Sequence, residues 1–251
     1  MANPVLQEAL SVYGGSYEYR RTHVLTAAIP VAALLVMWPG ESFTGYLTFA
    51  EAPVFFAFAG VGFSLALGLL AGIAGLNGIN RRSFITDREW VRRTPLAVSE
   101  LVRGKAIAAL LHTLLLVLLP APVVIAGGAV SGATVPESLY ELALIASFAL
   151  LCRFMGMGLV GLFPRRTSIA TVLFWLLFLA IGFVAINRAP LLHPAVAALG
   201  TPGEAGPWHG PLPLWHEPWH TALIHLALSV LFLVLYACGI LLIERRTRRH
   251  G

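Results

Sequence analysis

Apolar residues run along this chain in long, continuous stretches separated by short polar or Pro/Gly-rich breaks. Six stretches are candidates for crossing about 30 Å of hydrocarbon as helices. They cover residues 23–38, 53–79, 106–126, 139–163, 169–186 and 221–243, the first and fifth being the shortest. A membrane barrel would show alternating segments instead. The breaks carry turn-forming residues: Trp38-Pro39-Gly40, Gly127-Gly128, Val135-Pro136, Phe163-Pro164 and a proline-rich stretch before the last run. Ahead of the first run, residues 3–10 predict a short helix with Asn3 as N-cap and Pro4 at its first position. Val5, Leu6, Ala9 and Leu10 give it an apolar side, as expected of an interfacial helix leading into the first span. The expected fold is all-α and membrane-integral, a single transmembrane domain over 1–251. Within it lie an interfacial helix at 1–21, six transmembrane helices, a cytoplasmic loop at 80–105 and an external loop at 187–220.

Composition and charge sharpen this picture. The chain is 58% hydrophobic and 12% charged, with a mean hydropathy of +0.80, against roughly half apolar and a quarter charged in soluble domains. So few charges cannot clothe this much hydrocarbon, which excludes a soluble enzyme, a disordered tail and a disulfide scaffold. Cys152 and Cys238 both fall inside apolar runs and form no framework. Fifteen of the 17 basic residues fall on one side of the six-span layout: before the first run, in the 80–105 loop, between runs four and five, and after run six. Only Arg188 falls on the other side, and Arg153 lies within a run. By the positive-inside rule both termini and the 80–105 loop are cytoplasmic. The net charge of +5 is therefore a topology signal rather than a nucleic-acid footprint. Glu8 and Glu18 before the first run, without a small-residue cleavage site, argue against a signal peptide.

Three features inside and between the runs carry candidate chemistry. Gly60, Ser64, Gly68 and Gly72 follow a strict four-residue step, a groove that lets another helix backbone approach. Its partner is a helix of the same subunit or of a second copy. Arg153 sits ten residues short of the end of its run, where a charge must face protein, water or a partner. It is either paired internally or lines a conduit; Glu141 is three turns away and out of reach. The external loop holds Trp208-His209, Trp215-His216 and Trp219-His220, which fit an aromatic collar at the outer headgroups. His216-Glu217-Pro218-Trp219-His220 also matches the His-Glu-x-x-His of zinc hydrolases, in which two imidazoles hold the metal and the glutamate is a base. Pro218 fits that arrangement only if a helix starts there. No Gly-x-Ser-x-Gly elbow is present.

The cytoplasmic loop is the most patterned polar segment. Residues 87–93 predict a short helix of mixed charge, and Thr94 followed by Pro95 predicts the cap of a second helix. Leu96, Leu101 and Val102 give the second helix an apolar side. With an exposed Trp90 and clustered arginines, the loop reads as a docking surface. Asp87-Arg88-Glu89, Thr94-Pro95-Leu96 and Glu100-Leu101-Val102-Arg103-Gly104-Lys105 in succession resemble the transmembrane subunits of ABC-2 type transporter permeases. The leading helix, six spans, external segment before the last span and terminal Glu244-Arg245-Arg246 extend the likeness. The spacer Trp90-Val91-Arg92-Arg93 is shorter than in that family. The resemblance implies an exporter subunit of a bacterial inner membrane that pairs with a second permease copy or a paralogue around a substrate path. It implies separate ATPase subunits holding ATP and Mg, docked on Asp87, Arg88, Glu89, Trp90, Arg92, Arg93, Thr94, Pro95 and Glu100. This chain has no phosphate-binding loop of its own, because Gly104-Lys105-Ala106 lacks both the upstream glycine and the hydroxyl residue. No cofactor, nucleic acid or catalytic residue is then expected on it, and the competing class is a membrane-embedded zinc hydrolase built on His216 and His220.

Overall fold

The structure, a computed structural model, describes residues 3–36, 52–76, 87–130, 134–164, 166–187 and 218–249. Among them are nine helices and no strand: α1 (Pro4–Gly15), α2 (Tyr17–Val36), α3 (Ala52–Leu76), α4 (Asp87–Arg93), α5 (Val98–Leu118), α6 (Ala121–Val130), α7 (Val135–Leu162), α8 (Thr167–Asn187) and α9 (Pro218–Arg249). At their described residues the six apolar runs fall on helix, except at Leu119, Pro120 and Phe163. Among the described residues three stretches are long and apolar enough to cross a membrane: Val98–Ala129, Ser138–Leu162 and His220–Arg246. Gly62–Leu76 and Thr167–Gly182 are shorter apolar helices. The third run is interrupted by a turn at Leu119 and Pro120, where proline cannot donate to the preceding turn. It resumes as α6, with the Pro120 carbonyl accepting from Val123 and Val124.

Helix α7 is the axis of the fold, with every residue from Ser147 to Gly161 buried. Helices α3 and α9 flank it and run in its direction. A Cβ on Gly68 would meet Phe148, and one on Gly75 would meet the Arg153 carbonyl. On the other flank Ser147 meets His225 at 2.9 Å, and Gly161 lies against Tyr236. Helices α5 and α8 run the opposite way; Leu116 and Val117 cluster with Ile145 and Ala149, and the ring of Phe178 lies 6.1 Å from that of Phe148. Between apolar helices in lipid, dispersion at close range replaces the hydrophobic effect as the source of packing energy. Gly72, Gly75 and Gly156 supply that range on one side of α7, and Gly161 with Gly239 on the other.

Helix α1 begins as expected, with the Asn3 side chain accepting from the Val5 and Leu6 amides and proline at the first position. It lies along the first half of α5, with Asn3 near Glu100 and Gly104 at one end and Tyr13 stacked on His112 at the other. Its apolar side faces the protein through Val5, Ala9 and Tyr13, while Leu10 is 45% exposed.

Candidate functional site

The loop that resembles a docking element is half anchor and half surface. Asp87 and Glu89 stand in the first turn of α4, where the helix dipole favours acidic groups. The Asp87 carboxylate is buried and accepts from the Tyr236 hydroxyl at 2.8 Å, with Lys105 Nζ 3.8 Å from its other oxygen. Burial raises the Asp87 carboxyl above its ordinary value, against the opposing pull of Lys105 and Tyr236. Trp90 is not exposed as its sequence position predicts. Its ring is buried with Val5, Leu101, Tyr236 and Ile240, and its Nε1 donates to Glu8 at 3.0 Å. Thr94 does not cap the next helix either. Its hydroxyl and its amide both turn back to the Trp90 carbonyl, at 2.6 and 3.1 Å, and so close α4. Helix α5 starts only at Val98, after Ala97, without a side-chain cap. Arg92, Pro95, Ser99, Glu100 and Arg103 remain exposed, and Glu89 and Thr94 are half-buried. The side chains of Arg88 and Arg93 lie outside the described residues.

The small-residue groove is filled by the chain itself. Ser64, Gly68 and Gly72 are buried; Gly68 receives Phe148 and Cys152 of α7, and Gly72 receives Phe174 of α8. The surroundings of Gly60 lie outside the described residues. At its described positions the step is therefore an internal packing surface.

Arg153 is enclosed, at 2% exposure, and its partner is a residue that sequence reasoning passes over. Nη2 donates to the Tyr13 hydroxyl of α1, and the guanidinium lies 5.6 Å from the centre of the same ring. Around them stand Tyr19 and His23 of α2 and His112 of α5. The His112 ring stacks on Tyr13 at 4.1 Å, meets Tyr19 edge-on at 5.3 Å, and places its Nε2 3.1 Å from that of His23. Burial pushes the Tyr19 hydroxyl up to about 12, with the Arg153 charge opposing. The one sequence signal for this cluster is the four-residue step Val5, Ala9, Tyr13, which sets Tyr13 on the inward face of α1.

His216 and Glu217 lie outside the described residues, and His220 is half-buried in the first turn of α9. That helix does begin at Pro218. Among the described residues no group of three His, Cys, Asp or Glu side chains is placed to hold a metal ion. Comparison with known protein families, curated proteins and solved structures finds no match for this chain. Its chemistry is therefore read from its own side chains. The pair Ser147 and His225 is buried, and the serine hydroxyl donates to the Leu144 carbonyl at 2.8 Å. The same hydroxyl lies 2.9 Å from His225 Nδ1, so the pair joins α7 to α9 inside the core.

Proposed function

We propose that this chain is the membrane-embedded permease subunit of an ABC-2 type exporter in a bacterial inner membrane. In this reading six spans cross the bilayer with both termini cytoplasmic, and two permease chains, identical or paralogous, flank a substrate path. Separate ATPase subunits dock from the cytoplasm and carry ATP and Mg. The basic asymmetry supports the orientation, and the alternating directions of α3, α5, α7 and α8 agree with successive crossings.

The observation that carries the reading is the attachment of α4. Three helices hold it from within: α1 through Glu8 and Trp90, α5 through Lys105 and α9 through Tyr236. Arg92 and the Pro95, Ser99, Glu100 and Arg103 positions face outward beside it. A force applied to such an element reaches the interfacial helix and the third and sixth crossings together, which is what an ATPase closing beneath a permease requires. The segment 94–97, non-helical between α4 and α5, lets α4 turn without unwinding either helix.

Docking energy concentrates in a few residues at protein interfaces, and wrong-sign charges in such a contact cost several kcal/mol. The double variant Arg92→Glu with Arg93→Glu is thus expected to insert normally but to lose its ATPase partner on mild purification, and with it coupled ATP hydrolysis. Failure of any ATPase to copurify with the unmodified chain in mild detergent or nanodiscs would overturn the proposal. So would a double variant that keeps both complex and activity.

A further inference from the structure

Arg153 heads the fully enclosed side chains by volume, and it lies nine residues before the end of α7 at Leu162, about 14 Å along the helix axis. Among the described residues its one hydrogen bond and its one ring contact are both with Tyr13, through the hydroxyl and the face of the ring. Its Nε and Nη1 are equally buried and have no hydrogen-bond partner among the described residues, and the same holds for His112 Nδ1 beside it. An ionised group enclosed without a counter-charge is strongly destabilising, and buried polar atoms are nearly always satisfied. Packing does not ask for a charge here, since an unbranched apolar side chain fills such a space without it. A planar guanidinium with unused N–H donors is the complement of an oxyanion.

We propose that Arg153 is the binding site for an oxyanion, phosphate or carboxylate, received at the junction of α1, α5 and α7. Beside it the rings of Tyr13, Tyr19 and His112 pack on one another, offering apolar faces and polar edges to the charged head of an amphiphile that takes the place of the phenol. As a statement about exported cargo this rests on the exporter reading; as a statement about an anion site it does not. Tyr13 belongs to α1, and α1 is joined through Glu8 to Trp90 of α4, so the phenol that occupies the guanidinium is tied to the position of α4, and the anion enters by displacing it.

The test is the melting temperature of the full chain in uncharged maltoside micelles, compared after addition of inorganic phosphate or of phosphatidylglycerol, with chloride at matched ionic strength as control. A ligand that binds the folded state raises the melting temperature by mass action, and several degrees are expected from at least one probe. A response to phosphatidylglycerol alone identifies a lipid headgroup as the source; a response to phosphate identifies a soluble anion. Arg153→Met is expected to melt no lower than the unmodified chain in plain micelles and to lose most of the shift. Arg153→Lys keeps the charge without the planar fork and is expected to retain a reduced shift, which keeps the test open if the methionine variant folds poorly. Absence of any shift in the unmodified chain, or a full shift in either variant, overturns the proposal. The copurifying ATPase reports separately on the exporter reading, so the two can fail independently.

Discussion

Lys105 is carried into the protein by the first turns of α5 and meets Asp87, which is itself enclosed beneath Tyr236. Because burial raises the Asp87 carboxyl, the folded chain holds that proton more tightly than the unfolded chain. Its contribution to stability is therefore fullest below the unfolded value of about 4 and declines as pH rises through the folded one. Replacing Lys105 with Met removes the charge that favours the carboxylate and raises Asp87 further. That variant should lose about 3 kcal/mol near neutral pH and regain it on acidification. Adding Asp87→Asn should recover the loss and flatten the profile. Denaturation of the three proteins between about pH 5 and pH 8 measures this, and a Lys105→Met protein as stable as its parent at the upper end would show that the pair contributes nothing. Contacts of this kind were not legible in the sequence. Trp90 and Glu8 are 82 positions apart, and Arg153 and Tyr13 are 140, so no local pattern names the partner. What local chemistry does encode, the Asn3 cap with Pro4 behind it, appears as expected. Thr94 shows the limit: a hydroxyl before a proline opens a helix or closes the previous one, and here the Trp90 carbonyl decides.

The short helix at 87–93 and the six apolar runs were readable because amphipathic and fully apolar patterns are properties of the segment itself. The turn at Leu119 and Pro120 was hidden by apolar neighbours on both sides. Which face of α3 meets its neighbours was only half visible: the four-residue step marks Gly68 and Gly72, and Gly75, off that step, sits closest to the α7 backbone. Two alanine substitutions in this one helix are accordingly expected to act in opposite directions. At Gly62 nothing lies within 4 Å of an added Cβ, so Gly62→Ala should gain up to about 1 kcal/mol of helix propensity. At Gly75 the new methyl meets the Arg153 carbonyl and the Gly156 Cα, and overpacking of this kind costs about 1–3 kcal/mol. Thermal melts of the two variants in one detergent decide it. If Gly75→Ala melts at or above its parent, α3 and α7 do not meet in this register.

For the whole molecule, the distribution of arginines predicts an orientation that labelling can read. With Cys152 and Cys238 replaced, a single cysteine at Ser83 should be protected from an impermeant thiol reagent in intact cells, and one at Thr201 should react. Labelling at position 83 would invert or break the six-span arrangement. The order in which the helices come together follows from a different property, the separation in sequence of α7 from the two helices that run in its direction. Domains fold as the chain emerges from the ribosome, N-terminal parts first, yet Gly75 of α3 is made about 80 residues before the Gly156 of α7 that packs against it. Until α7 and α8 arrive, Gly75 lacks Gly156 and Gly72 lacks the Phe174 ring that fills it. The opposite face of α7, with Gly158 and Gly161, then waits for Phe232, Tyr236 and Gly239 of α9, which follows it in the chain. Asp87 waits as long, because its Tyr236 partner is also on α9. Both the second flank of α7 and the seat of Asp87 are thus completed only by α9. A ribosome that stalls before residue 218 leaves a chain with its central helix half covered and a buried-to-be carboxylate still in water, a state that quality-control proteases can distinguish from the finished protein.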